Sequence, residues 1–121
     1  MPEVVAVLGA SAKPQRYSNQ AIRLLQAYGH TVLPVNPAQK IIEGLAVAAT
    51  VDALPQTVDT VTMYVSPAHS TPLLAGLLAL QPRRVIFNPG AENPALEKAL
   101  AAAGIRVEEA CTLVLLRTGQ F

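Results

Sequence analysis

Five short, mostly apolar runs set the limits on what this chain can become. They are Val4 to Leu8, Thr31 to Val35, Thr60 to Val65, Arg84 to Asn88 and Ile105 to Glu108, and their starts lie 27, 29, 24 and 21 residues apart. A run without polar alternation is the mark of a strand covered on both faces. Gaps of this length hold a crossover helix, which a hairpin meander does not need. The pattern predicts an α/β fold: a doubly wound, Rossmann-like, parallel five-stranded sheet with helices on both faces. Right-handed crossovers leave few topologies, and the expected strand order is 3-2-1-4-5.

The gaps carry helix signals. Ser18 is expected to cap a helix with Ala21, Ile22, Leu25 and Tyr28 on its apolar face and Gly29 as its left-handed stop. Ser66-Pro67 and Asn93-Pro94 each put a capping side chain before a proline at the first helical position. Leu73, Leu74, Leu77 and Leu78 follow the first pair; Leu96, Ala99, Leu100 and Ala103 follow the second, closed by Gly104. Thr50 to Leu54 reads as one helical turn stopped by Pro55.

At 121 residues, with 51% hydrophobic and 14% charged, the chain has the size of one domain and is too apolar to be disordered. Its net charge of +1 argues against broad binding to nucleic acid or anionic membranes. The charge is unevenly spread, however. Residues 1–40 hold Lys13, Arg16, Arg23 and Lys40 against Glu3, for a net of +3, which points to a local anion site. Cys111 is the lone cysteine, so neither an internal disulfide nor a multi-cysteine metal site is expected. No apolar run approaches the roughly 18 residues that span a bilayer. A cytoplasmic protein with no membrane contact is the expectation.

Ligands of such sheets bind beyond the carboxyl ends of the strands. The first loop there, Gly9 to Ser18, offers a glycine for close backbone approach, a helix start with unpaired N–H groups, the Ser11 and Ser18 hydroxyls, and Lys13 or Arg16 to neutralise charge. This suits phosphate. It is not the usual dinucleotide fingerprint, because Ser11 and Pro14 stand where G-x-G-x-x-G needs glycine. The second strand also ends Pro34-Val35-Asn36-Pro37, without the acid that holds an NAD ribose. Asn36 can bond a ribose or base, and Lys40 lies near enough in sequence to meet a further ribose phosphate.

Gly9-Ala10-Ser11, then Arg16 and Ser18, then Val35-Asn36-Pro37, a Pro89-Gly90 pair and the late Cys111 together resemble the small CoA-binding domain proteins. These are stand-alone relatives of the nucleotide-binding domain of the succinyl-CoA synthetase alpha subunit. The resemblance implies a CoA-binding Rossmann-like domain over residues 1–121. It implies that Gly9, Ala10, Ser11, Arg16 and Ser18 hold phosphate, that Asn36, Pro37 and Lys40 lie beside the adenosine, and that Ser66, Pro67, Asn88 and Gly90 complete the crevice. Asn88-Pro89-Gly90 departs from the Trp-x-Gln-x-Gly-like stretch common in relatives. Cys111 matches a cysteine of many relatives, but no histidine follows it here.

No catalytic or metal-ligating residue is assigned. Cys111 is read as a small apolar filler, His30 as a surface residue at the end of the sheet away from the crevice, and His69 as an exposed helix-start residue on the crevice side. Glu92, Glu97, Glu108 and Glu109 read as solvated charges. Leu113 to Leu116 is expected to pack within the monomer; otherwise it is a surface for a second copy or a partner protein. The expected function is non-catalytic binding of CoA or acyl-CoA as carrier, sensor or subunit. An NAD(P)-binding oxidoreductase and an interaction module that has lost its ligand remain as alternatives.

Overall fold

The computed structural model describes residues 2–121; the expected domain begins at Met1, which lies outside them. In chain order the elements are β1 (Val4–Leu8), α1 (Tyr17–Ala27), β2 (Thr31–Val35), β3 (Ile41–Ile42), β4 (Leu45–Ala46), β5 (Thr60–Met63), α2 (Pro67–Ser70), α3 (Leu74–Leu80), β6 (Arg84–Phe87), α4 (Pro94–Ala102), β7 (Arg106–Glu109) and α5 (Thr112–Arg117). Short 3-10 turns occupy Val51–Ala53 and Thr71–Leu73. Five strands form one parallel sheet in the order β2-β1-β5-β6-β7.

Residues on β1 alternate between two apolar layers, as a strand covered on both faces must. Ala6 and Leu8 join Val61, Met63, Val85, Phe87, Leu77, Leu96 and Leu100, beneath α3 and α4. Val5 and Val7 join Ile22, Leu25, Val32 and Leu116, beneath α1 and α5. The apolar tail therefore packs on the monomer, with Leu113 and Leu116 buried. Each such fully buried side chain contributes roughly 1.5–3 kcal/mol.

The strand order corrects the expectation of 3-2-1-4-5. The third long strand, β5, pairs with β1 and not with the outer edge of β2. That edge is already occupied: the Ala48 N–H donates to the Pro34 carbonyl at 3.0 Å, and the Asn36 N–H donates to the Ala48 carbonyl at 3.0 Å. Within a strand a residue's nitrogen and carbonyl face the same side, so the Pro34 ring nitrogen also faces outward, where a missing donor breaks no ladder bond. A proline at this position fits an edge strand, a point that the expected order passed over. The segment leaving β2 then folds back as the antiparallel β3–β4 hairpin, whose two turn residues, Glu43 (φ 50°) and Gly44 (φ 75°), have the positive φ that a tight hairpin requires.

Two helix expectations also change. Ser18 is the second residue of α1, and Arg16 holds the cap position with an extended backbone and no capping side chain. Side chains of the first helical turns instead grip loop carbonyls: Asn19 Nδ2 donates to Ser11 at 2.9 Å, Gln20 Nε2 to Gln15 at 3.1 Å and Arg23 to Pro14 at 2.8 Å. The helix expected after Ser66-Pro67 is split into α2, a 3-10 turn and α3. Pro72, lacking an N–H, sits in that turn and breaks the α ladder. Asn93 caps α4 as expected, accepting from the Leu96 N–H at 3.2 Å.

Candidate functional site

The winding direction reverses between β1 and β5, and the loops leaving those strands diverge to open a crevice. A cavity of about 500 Å³ fills it. One wall is Gly9, Ala10, Ser11, Lys13 and Arg16 with Tyr17 and Ser18 from the first turn of α1; Asn36, Tyr64, Ser66 and the Pro89-Gly90-Ala91 corner complete it. Lys13 and Arg16 enter no ion pair among the described residues, and Arg16 is exposed. No side chain caps α1, whose first-turn N–H groups are left unpaired by the helix, and its first residues Tyr17 and Ser18 line the same space. Positive charge and unpaired donors thus converge on one concave surface, an arrangement suited to an anion.

Asparagines tie these loops together. Asn36 Nδ2 donates to the Ala10 carbonyl at 2.6 Å while its Oδ1 accepts from the Ala38 N–H at 2.7 Å, so the second loop is bolted to the first. Asn88 is buried and donates to the Thr62 hydroxyl at 2.7 Å and the Met63 carbonyl at 2.9 Å, and it accepts from the Thr112 N–H at 2.8 Å. Thr62 and Thr112 share a further bond of 2.7 Å. This network pins the start of α5 to the centre of the sheet. Asn93 reaches Ser70 Oγ at 2.8 Å and Thr71 Oγ1 at 3.0 Å, joining α4 to α2.

Beyond Tyr17, Tyr64 and Pro89 lies a second cavity of about 260 Å³, lined also by Asn88, Cys111, Leu113, Val114 and Arg117. The Tyr64 hydroxyl is buried close to the Thr62 and Thr112 hydroxyls, without a well-aligned hydrogen bond among the described residues. Burial pushes its pKa up to about 12, outweighing the opposing effect of the nearby Thr62 and Thr112 hydroxyls. Glu97 lines neither cavity. Burial holds its carboxyl above the usual range, assisted by Glu109 and Glu92 and opposed by the Asn93 N–H. His69 is exposed, and its Nδ1 lies 2.9 Å from Ser66 Oγ.

Residues 3–117 match the CoA binding domain family. This chain belongs to that family. A crystal structure of an uncharacterized protein superposes with a TM-score of 0.95 at 36% identity, covering 100% of this chain and 99% of the other. A Thermus thermophilus protein gives a TM-score of 0.91 at 34% identity over 99% of this chain and 91% of its own. The fold also recurs in a Korarchaeum cryptofilum dinucleotide-forming acetyl-coenzyme A synthetase solved with phosphate and ADP. There the TM-score is 0.77 at 24% identity, and the match covers 90% of this chain but 26% of the synthetase chain.

In this CoA-binding domain, eight of the residues singled out from sequence line the larger cavity together: Gly9, Ala10, Ser11, Arg16, Ser18, Asn36, Ser66 and Gly90. Four do not. Pro37, Lys40 and Pro67 are exposed outside it, and Asn88 lies beneath the crevice with its amide engaged in the network above. Sequence reasoning passed over Tyr17, Tyr64, Pro89 and Ala91 as wall residues. Tyr64 was counted into a strand that ends at Met63. Its signal was available: an aromatic with a polar tip, at the carboxyl end of an apolar run.

Proposed function

We propose that this CoA-binding domain holds CoA or an acyl-CoA by its adenosine-phosphate end and does no chemistry of its own, acting as a carrier, sensor or subunit. The observation that carries this reading is the convergence of Lys13, Arg16 and the uncapped first turn of α1 on one cavity at the switch point. The diphosphate is assigned to Gly9, Ala10, Ser11, Arg16 and Ser18, with Lys13 as a second cation. Asn36, Pro37 and Lys40 take the adenosine side, where Lys40 is exposed. Ser66, Pro67 and Gly90 form the opposite rim; Asn88 acts by holding that rim in place. The charged side chains lining the cavity, Lys13 and Arg16, are both cations, which suits an anionic ligand.

A volume of about 500 Å³ falls within the ordinary range for a small-molecule site. The test is a thermal-shift panel of CoA, acetyl-CoA, NAD, NADP, ATP and ADP. At about a hundred times the dissociation constant, a ligand selective for the folded state adds roughly 2.7 kcal/mol. CoA and acetyl-CoA are expected to stabilise most. Stabilisation by NADP with none by CoA would reverse the assignment, and silence from every ligand would indicate an interaction module.

A further inference from the structure

The smaller cavity, between the end of β6 and α5, shares three wall residues with the larger one: Tyr17, Tyr64 and Pro89. A ligand seated in the nucleotide crevice and running past Tyr64 therefore arrives in it. We propose that this cavity is an acyl pocket, seating the short apolar acyl group of a thioester whose nucleotide end occupies the larger cavity. The inference rests on the CoA reading above and goes beyond it by distinguishing acyl-CoA from free CoA.

Three observations carry it. The first is the lining past the shared wall, where Cys111, Leu113 and Val114 present apolar surface and the Asn88 amide is consumed by Thr62, Met63 and Thr112. Arg117 is the one charged side chain on this lining, and it is exposed. The second is size. At about 30 Å³ for each water-sized atom, a cavity of about 260 Å³ holds roughly nine non-hydrogen atoms, far more than a bare thiol and far fewer than a long fatty chain. The third is the Tyr64 side chain, which belongs to both walls while its hydroxyl is buried beside Thr62 and Thr112, so that the aromatic ring is what it offers to the cavity. Such a ring supplies apolar surface that an acyl chain can cover and a free thiol cannot.

Isothermal titration of the full chain with CoA, butyryl-CoA, succinyl-CoA and palmitoyl-CoA tests the pocket. Each buried methylene is worth roughly a fourfold gain in affinity, so butyryl-CoA is expected to bind about tenfold tighter than CoA when its chain is partly buried. Palmitoyl-CoA is expected to lose that gain. Val114 is 53% exposed, so Val114→Trp adds an indole over the cavity without entering the core, and the ratio of butyryl-CoA to CoA affinity should fall to about one. Tyr64→Ala, an independent variant, should lower the same ratio about fivefold by removing aromatic surface from the pocket wall. CoA binding with a ratio near one in the unaltered protein, or a ratio untouched by both substitutions, overturns the pocket and leaves the CoA reading standing. Tighter binding of succinyl-CoA than of butyryl-CoA overturns the apolar class. Binding of no CoA compound overturns both readings together.

Discussion

The two ends of the sheet are built from different materials. At the amino end, charge is matched by charge. Arg84 is buried and reaches Glu108 at 3.1 Å, Glu3 at 3.5 Å and the Thr60 hydroxyl at 2.8 Å, with its guanidinium 4.4 Å from the Phe121 ring centre. Glu3 in turn accepts from the Thr60 hydroxyl at 2.6 Å, Asp59 accepts from the Val4 N–H at 2.8 Å, and the Glu3 N–H donates to His30 Nδ1 at 2.9 Å. At the carboxyl end, asparagine side chains and left-handed glycines shape the loops, while Lys13 and Arg16 are left outside every ion pair among the described residues. A pole whose charges face one another holds the fold together; a pole that leaves cations and N–H groups unmatched is available to a ligand.

The largest expected effect tests whether the carboxyl-end loop depends on backbone conformation. A Cβ on Gly9 would lie 3.0 Å from both the carbonyl carbon and the oxygen of Tyr64, and its φ of +81° is strained for any other residue. From the sequence, Gly9 looked like a glycine that lets backbone approach phosphate; the structure adds that it lets β1 pass the start of the β5 loop. Gly9→Val should therefore cost about 4 kcal/mol of stability, the left-handed penalty plus overpacking, measured by urea unfolding. A stable Gly9→Val protein that has lost only ligand would return the residue to phosphate contact alone.

At the other pole, Arg84→Met keeps the aliphatic stem but strands Glu3 and Glu108 beside a buried Thr60. Removing one partner from a mostly buried ion cluster costs about 3 kcal/mol. CoA affinity, measured by titration in the folded range, should not change. Arg16→Ala is the converse experiment. The side chain is exposed and unpaired, so stability should hold while CoA affinity falls by about 2 kcal/mol, the value of a charge-assisted hydrogen bond to phosphate. If the two variants exchanged their effects, the division between a stabilising pole and a binding pole would be wrong.

Much of this division could be read from the residues in order. The five strands of the parallel sheet, the excess of positive charge before residue 40 and the grouping of Gly9, Ser11, Arg16, Ser18 and Asn36 all follow from periodicity and loop position, because both are local properties of the chain; the short β3–β4 hairpin does not. What was not legible depends on contacts across many residues. The second strand was expected inside the sheet, and only the bridge to Ala48 shows how β2, at the edge, is closed on its outer side. Ser18 looked like a cap because it precedes an apolar face; the helix starts before it because Asn19, Gln20 and Arg23 satisfy the loop from inside the helix. Thr62, Asn88 and Thr112 come from positions 26 and 24 residues apart along the chain. No local pattern marks them as one network.

The smallest expected effect concerns Cys111, which stands at the cap position of α5, half-buried on the wall of the smaller cavity. A reactive cysteine needs a base, a cation or the end of a substantial helix set beside its sulfur. The side chains that share its cavity are Tyr17, Tyr64, Asn88, Pro89, Leu113, Val114 and Arg117; none is a histidine or carboxylate, Arg117 ends α5 on an exposed turn, and α5 itself is only 6 residues long. Cys111 also makes no side-chain cap to the helix it precedes, so serine in its place disturbs little. Cys111→Ser is expected to change CoA affinity by less than about 0.5 kcal/mol, the usual bound for a substitution that breaks no specific contact. The thiol itself should alkylate slowly at neutral pH, and butyryl-CoA should slow it further than CoA does, because the acyl chain covers it. Mass spectrometry after exposure to CoA disulfide gives the opposing outcome a clear form. Rapid, stoichiometric attachment of CoA at Cys111, blocked by prior CoA, would make the carboxyl end a site of thiol exchange, and binding without chemistry would no longer describe it.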